Sequence, residues 1–224
     1  MEKRVLNKLN SPLVVELYST FQDYGTLYYQ MEYVQGGELW TYMHEHVDRL
    51  SGEGNSQVGC HWSQSVSFFR QMVDALEYIH RRGVVHRDIK PENIMITETG
   101  RLKLVDFGTA KDLIQTDLNG QEFVGTPEFM SPRTLRSKPV GIDADLWALG
   151  VVTYQLFFGL TPFRSASPYL VFIKIKKGRY YLHWTVPNEV RYIYIYRERE
   201  IVLLHSFITQ RTGIEDRFVI NFSK

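Results

Sequence analysis

A chain of 224 residues with 44% apolar and 23% charged side chains has room for one domain, or for one and a small neighbour, and excludes wholesale disorder and fibrous repeats. Lys plus Arg (26) nearly balances Asp plus Glu (25), which removes the electrostatic case for nucleic acid as the main partner. The balance hides an asymmetry: residues 164–224 hold 11 basic and 5 acidic side chains, and residues 1–163 carry a net −5.

The start, Met1-Glu2-Lys3-Arg4, has no apolar stretch of signal-peptide length behind it. Ser11-Pro12 breaks an opening helix. Leu13–Phe21 and Leu27–Val34 then read as two strands joined by a turn at Asp23-Tyr24-Gly25. Gly36-Gly37 ends strand character, and a short helix follows through Leu39, Tyr42 and Met43. Residues 48–61 have the Gly and Ser content of a surface loop. Cys60, the single cysteine, precludes an internal disulfide and fits a reducing compartment, so a cytoplasmic location is expected.

A strong helix comes next. Ser63 is placed to cap it, Val66, Phe69, Val73, Leu76 and Ile79 recur at spacings of three and four, and Gly83 stops it. Asn93–Ile96 and Arg101–Val105 read as a hairpin turning at Glu98-Thr99-Gly100, and residues 108–142 as irregular chain. The apolar run Leu146–Phe163 is interrupted by Gly150 and Gly159 and contains Thr153 and Gln155. It is expected to be a buried helix rather than a membrane span. In the basic tail the charges are scattered among Tyr, Ile and Val, apart from Lys174-Ile175-Lys176-Lys177, and read as a solvated helix face.

The chemistry is concentrated between the strong helix and the hairpin, in His86-Arg87-Asp88-Ile89-Lys90-Pro91-Glu92-Asn93, and after the hairpin in Asp106-Phe107-Gly108. Asp88, Asn93 and Asp106 are oxygen-bearing side chains that suit a hard cation such as Mg²⁺. Lys90 adds a positive charge suited to a phosphate. An acid, a cation and two metal ligands are the parts phosphoryl transfer requires, because that reaction depends on positioning and charge neutralisation.

HRDIKPEN followed by DFG resembles the catalytic loop and metal-binding motif of eukaryotic protein kinases. By that resemblance Asp88 accepts the proton of the substrate hydroxyl, Lys90 contacts the transferring phosphate, and Asn93 and Asp106 hold Mg²⁺. Lys90 and Thr126 in Gly125-Thr126-Pro127-Glu128 point to the serine/threonine branch. Glu32 and Val34 of Met31-Glu32-Tyr33-Val34 resemble the hinge whose backbone holds the adenine of ATP. Glu38 and Glu92 are the further nucleotide contacts the resemblance implies, and Asp145 anchors the catalytic loop from beneath. DFGTAK (106–111), FVGT (123–126) and residues 146–164 are similar to the phosphoinositide-dependent kinases of the AGC group. The implied fold is α+β, with residues 1–35 as a partial antiparallel small lobe and 36–224 as a nearly complete helical lobe. The family likeness fades over about 188–224. The implied substrate is a Ser/Thr hydroxyl on a protein, another kinase among the candidates, in a signalling role. No lipid-binding domain and no membrane span are expected in these residues.

Three departures accompany the likeness. No glycine-rich turn and no strand lysine precede Met31; Glu2 aligns with the helix glutamate that would pair with such a lysine. The expectation is a chain cut short at the front, with poor turnover by itself. A kinase-like binding module without turnover and a partial gene product are the alternatives. Glu122 stands where a phosphorylatable serine is expected, with Arg87 and Lys111 as the cations to meet it. Arg133 replaces an acidic residue whose partner would be Arg211, so that brace is expected to be absent or rearranged.

Overall fold

The computed structural model describes residues 1–45, 59–114, 123–178 and two short strands at 196–197 and 200–201. The chain forms two compact units, Met1–Thr161 and Pro162–Lys224. The first is α+β. It opens with helix α1 (Glu2–Leu6), the hairpin β1 (Leu17–Asp23) and β2 (Thr26–Met31), and helix α2 (Leu39–Glu45). The hairpin registers Phe21 against Tyr28, whose rings stack at 4.9 Å. Both strands are shorter than the pattern suggests. Leu13–Glu16 instead lies beside the later segment Leu102–Leu104, with Val14 bridged to Leu104 and the Val15 N–H donating to the Leu104 carbonyl.

Five residues past the end of β2, Gly36 lies close against a later segment of the chain. A Cβ there would lie 2.4 Å from the Ile96 carbonyl oxygen, so only glycine lets the chain pass that close. The chain then enters α2 with Ile96 N–H bonded to Gly37 O at 2.8 Å.

Helix α3 (Trp62–Arg81) follows the expected periodicity and buries Phe69, Met72, Leu76 and Ile79. Its cap differs from expectation. His61 is the N-cap residue, without a side-chain cap bond, and Ser63 lies inside the first turn, its hydroxyl 2.8 Å from His61 Nδ1. The helix start is set by tertiary contact. Gly59 and Cys60 donate to the carbonyls of Phe157 and Leu156, at the far end of helix α4, at 3.1 and 2.7 Å.

Helix α4 (Ile142–Phe158) is the hub of this unit. Leu146, Trp147, Leu149, Val151, Val152, Tyr154 and Leu156 point around its whole circumference and are all buried, the signature of a core helix. It ends where Gly159 adopts φ +72°, four residues short of the end of the apolar run. Among the described residues no helix is long and apolar enough to cross a membrane.

Two small ladders lie between α3 and α4. Strands β4 (Ile94–Ile96) and β5 (Leu102–Leu104) form the expected hairpin. Outside it, β3 (Val84–Val85) pairs antiparallel with β6 (Lys111–Asp112), a strand inside the stretch expected to be irregular. The second unit contains helix α5 (Pro168–Lys177), capped by the Ser167 hydroxyl on Leu170 N–H, and the pair β7 (Tyr196–Arg197) and β8 (Glu200–Ile201). Lys176 and Lys177 of α5 are exposed, as a solvated face requires. Most of the tail and Arg211 lie outside the described residues.

Candidate active site

The segment 86–93 leaves β3 and is anchored from below by Asp145. That carboxylate is fully buried, and a buried charge must be met by donors. Three are supplied. His86 N–H and His80 Nε2 reach Oδ2, and Arg87 N–H reaches Oδ1, each at 2.8 Å. The double grip from the backbone fits the unusual conformation of Arg87, whose φ of +69° is uncommon for a residue with a side chain. His86, itself fully buried, turns its Nε2 to the Val105 carbonyl at 3.0 Å and lays its ring against Phe107 with centroids 4.8 Å apart. Thr109 closes the circuit, its hydroxyl donating to His86 O at 3.0 Å while its carbonyl accepts from Arg87 Nε at 2.6 Å.

This frame holds Asp88 at the mouth of a cleft lined by Ile89, Gly125, Thr126, Met130 and Thr134. One Asp88 oxygen, Oδ2, takes Lys90 Nζ at 2.9 Å and Asn93 Nδ2 at 3.1 Å. The other, Oδ1, takes the N–H and the hydroxyl of Thr126 at 3.0 and 2.9 Å. Lys90 Nζ also donates to the Thr126 hydroxyl at 3.0 Å, which makes a closed triangle of Asp88, Lys90 and Thr126. Burial pushes the Asp88 carboxyl upward, but the bonds from Lys90 and Thr126 together outweigh it and hold the group below the usual carboxylate range. The site therefore keeps an ionised carboxylate beside the cleft. Gly125 makes the approach possible: at φ +112°, a Cβ would sit 2.9 Å from Arg87 O.

Asn93 is buried and spends its amide N–H₂ on Asp88 O at 2.9 Å and on Oδ2, which leaves its side-chain oxygen as the free atom. Asp106 is exposed, in a left-handed conformation (φ +57°), and its Oδ1 takes Gly108 N–H at 3.3 Å. An amide oxygen and an ionisable carboxylate are hard donors, so these two side chains fit a divalent ion that keeps water ligands. Glu2 lies near Asp106. Its carboxyl is raised by burial and by the Asp106 charge, while the Phe107 N–H bonds to it.

The nucleotide-contact candidates are less tightly gathered. Glu32 pairs with Lys103 at 2.9 Å, Val34 is buried, and Glu38 is exposed with its backbone bridged to Met95. Glu92 has a buried Oε2 that no donor reaches among the described residues. Lys111 is buried in β6, and Glu122 lies outside the described residues. Arg133 Nε sits 3.3 Å from Asp143 Oδ2, while Arg211, its expected counterpart, lies outside the described residues.

Sequence reasoning missed two contributors. They are His80, 65 residues before Asp145, and Lys8, whose ammonium pairs with the fully buried Asp112. A histidine within a helix and a cation in the turn after α1 carry no signal of a partner that distant.

The protein kinase domain family matches residues 1–212. The chain is 37% identical over 220 residues to 3-phosphoinositide-dependent protein kinase 1 of Homo sapiens, covering 96% of this chain and 36% of that protein. It is equally identical to the putative 3-phosphoinositide-dependent protein kinase 2 of Homo sapiens, of which it covers 50%. Similarity to serine/threonine-protein kinase PKH2 of Candida albicans is 36% over 201 residues, 20% of that protein. The chain thus spans half or less of the length of these relatives.

Proposed function

The chain belongs to the protein kinase family, and from that premise we propose that it transfers the γ-phosphate of ATP to a serine or threonine hydroxyl of a protein. The observation that carries the reading is the Asp88–Lys90–Thr126 triangle: an ionised, desolvated carboxylate with a cation beside it, facing an open cleft.

Asp88 holds the acceptor hydroxyl in line and takes its proton as the oxygen attacks. Lys90 is near enough to Asp88 to meet the charge of the transferring group once it lets go of Thr126. Asn93 and Asp106 would hold Mg²⁺, which offsets the charge of the ATP phosphates when bound. Glu32 and Val34 by their backbone, with Glu38 and Glu92, are the proposed nucleotide contacts. Arg87, Lys111, Glu122 and Thr126 order the activation segment. Residues 1–35 act as the small-lobe part and 36–224 as the large lobe. The free, buried Cys60 supports the cytoplasm as the site of action.

The reading is tested by incubating the chain with Mg²⁺-ATP and a serine-centred peptide library, beside Asp88→Asn. Transfer that Asp88→Asn lowers by at least a hundredfold supports it. Nucleotide binding with no transfer in either form would favour a binding module instead.

A further inference from the structure

The cleft beside Asp88 has two walls from different parts of the chain. Val124, Thr126, Met130 and Thr134 form one; Val140 and Ala144, at the start of α4, form the other. Arg133 and Asp143 join them. Arg133 Nε reaches Asp143 Oδ2 at 3.3 Å, and its Nη2 donates to the Pro139 carbonyl at 3.2 Å. Asp143 is held in turn, its Oδ1 accepting the Gly141 N–H at 3.0 Å. The Arg133 carbonyl accepts from Lys138 N–H at 3.1 Å, so backbone and side chain of one residue both fold 133–143 into a closed turn.

We propose that Arg133 and Asp143 staple the two walls together and that Arg133 is a positioning residue, fixing how wide the cleft opens to the acceptor segment. The positioning role rests on the kinase reading; the staple does not. Nothing in sequence motif or spacing assigns this pair. The cation stands where an acidic side chain was expected, and its carboxylate lies ten residues on, two before the loop anchor Asp145. One helix start therefore carries both the support under Asp88 and the latch of the cleft wall.

The pair is exposed on the arginine side, so its effect is modest and salt-sensitive. The test compares the wild-type chain, Arg133→Glu, Asp143→Arg and the double charge swap. Amide hydrogen exchange over residues 134–144 is followed without ligand. The acceptor KM and kcat are measured with the best peptide from a serine-centred library. Each single reversal is expected to speed exchange there by about fivefold relative to α3, and the swap to restore it to within about twofold. The acceptor KM is expected to rise in the single reversals with kcat held.

Unchanged exchange in the single reversals, a swap as fast as they are, or acceleration spread evenly into α3 would overturn the staple. Faster exchange with an unchanged acceptor KM would overturn the positioning role. Exchange restored by the swap, with no phosphotransfer in any form, would leave the staple standing and overturn the kinase reading with the role that rests on it.

Discussion

Thr126 gives both its backbone N–H and its hydroxyl to the same oxygen of Asp88, at 3.0 and 2.9 Å. With Lys90 and Asn93 on the other oxygen, the carboxylate already has four donors for its roughly four lone-pair sites. An acceptor hydroxyl must displace one of them.

Thr126→Val keeps the N–H bond and removes the hydroxyl from both Asp88 and Lys90. Hydrogen bonds to charged groups are worth about 1.5–3 kcal/mol, so phosphotransfer should fall by roughly ten- to a hundredfold. Thr126→Ser should stay near wild type. Steady-state kinetics on the three proteins checks this.

Asp145→Ala leaves His86 and Arg87 N–H groups without their acceptor in a fully buried place. A loss of about 3–5 kcal/mol is expected in urea unfolding, as for breaking one side of a buried charged contact. His80→Leu removes only the third donor and should cost less, while His80→Gln, which can still donate, should cost least.

The Asp88 carboxyl is held below its ordinary range, so its contribution to folding is present above the unfolded carboxyl pKa of about 3.9 and is lost as pH falls through the lower folded value. Urea unfolding of wild type and Asp88→Asn should therefore differ at pH 7. The two curves should converge below about pH 4.

Cys60 titrates the other way. Burial raises its thiol to about 11, which keeps it protonated and unreactive in the native chain. Iodoacetamide at pH 8 should modify it only as fast as the chain opens. Stability relative to Cys60→Ala should hold below the unfolded thiol pKa of about 8.5 and decline as pH rises toward the folded value. Alkylation rates with and without urea, followed by mass spectrometry, give the answer.

The sequence was informative wherever chemistry or period is local. Helix α3 declares itself through apolar spacing, α4 through a long apolar run, and the hairpin through Glu98-Thr99-Gly100 between two short apolar runs. Asp88, Lys90 and Asn93 lie within one turn of chain, so their meeting could be expected. That Thr126 joins them is a tertiary fact, since 38 residues separate it from Asp88. The start of α3 could not be read either, because it depends on Gly59 and Cys60 docking on carbonyls of α4 rather than on a polar cap. The pairing of Arg133 could not be read either, since its carboxylate lies ten residues on at the start of α4, and no period relates the two positions.

The β3–β6 pairing encloses the β4–β5 hairpin, and this nesting sets an order of assembly. Ile96 and Leu102 are joined by a short turn, so the inner ladder closes at little entropic cost. Once shut, it brings Val85 and Lys111 within reach of each other, and the outer ladder then closes a loop that is already mostly folded. Asp88, Asn93 and Asp106 are all carried on the connections between the two ladders. These three side chains are thus gathered by a local, low-contact-order event, before the distant Thr126 and Asp145 arrive to lock them.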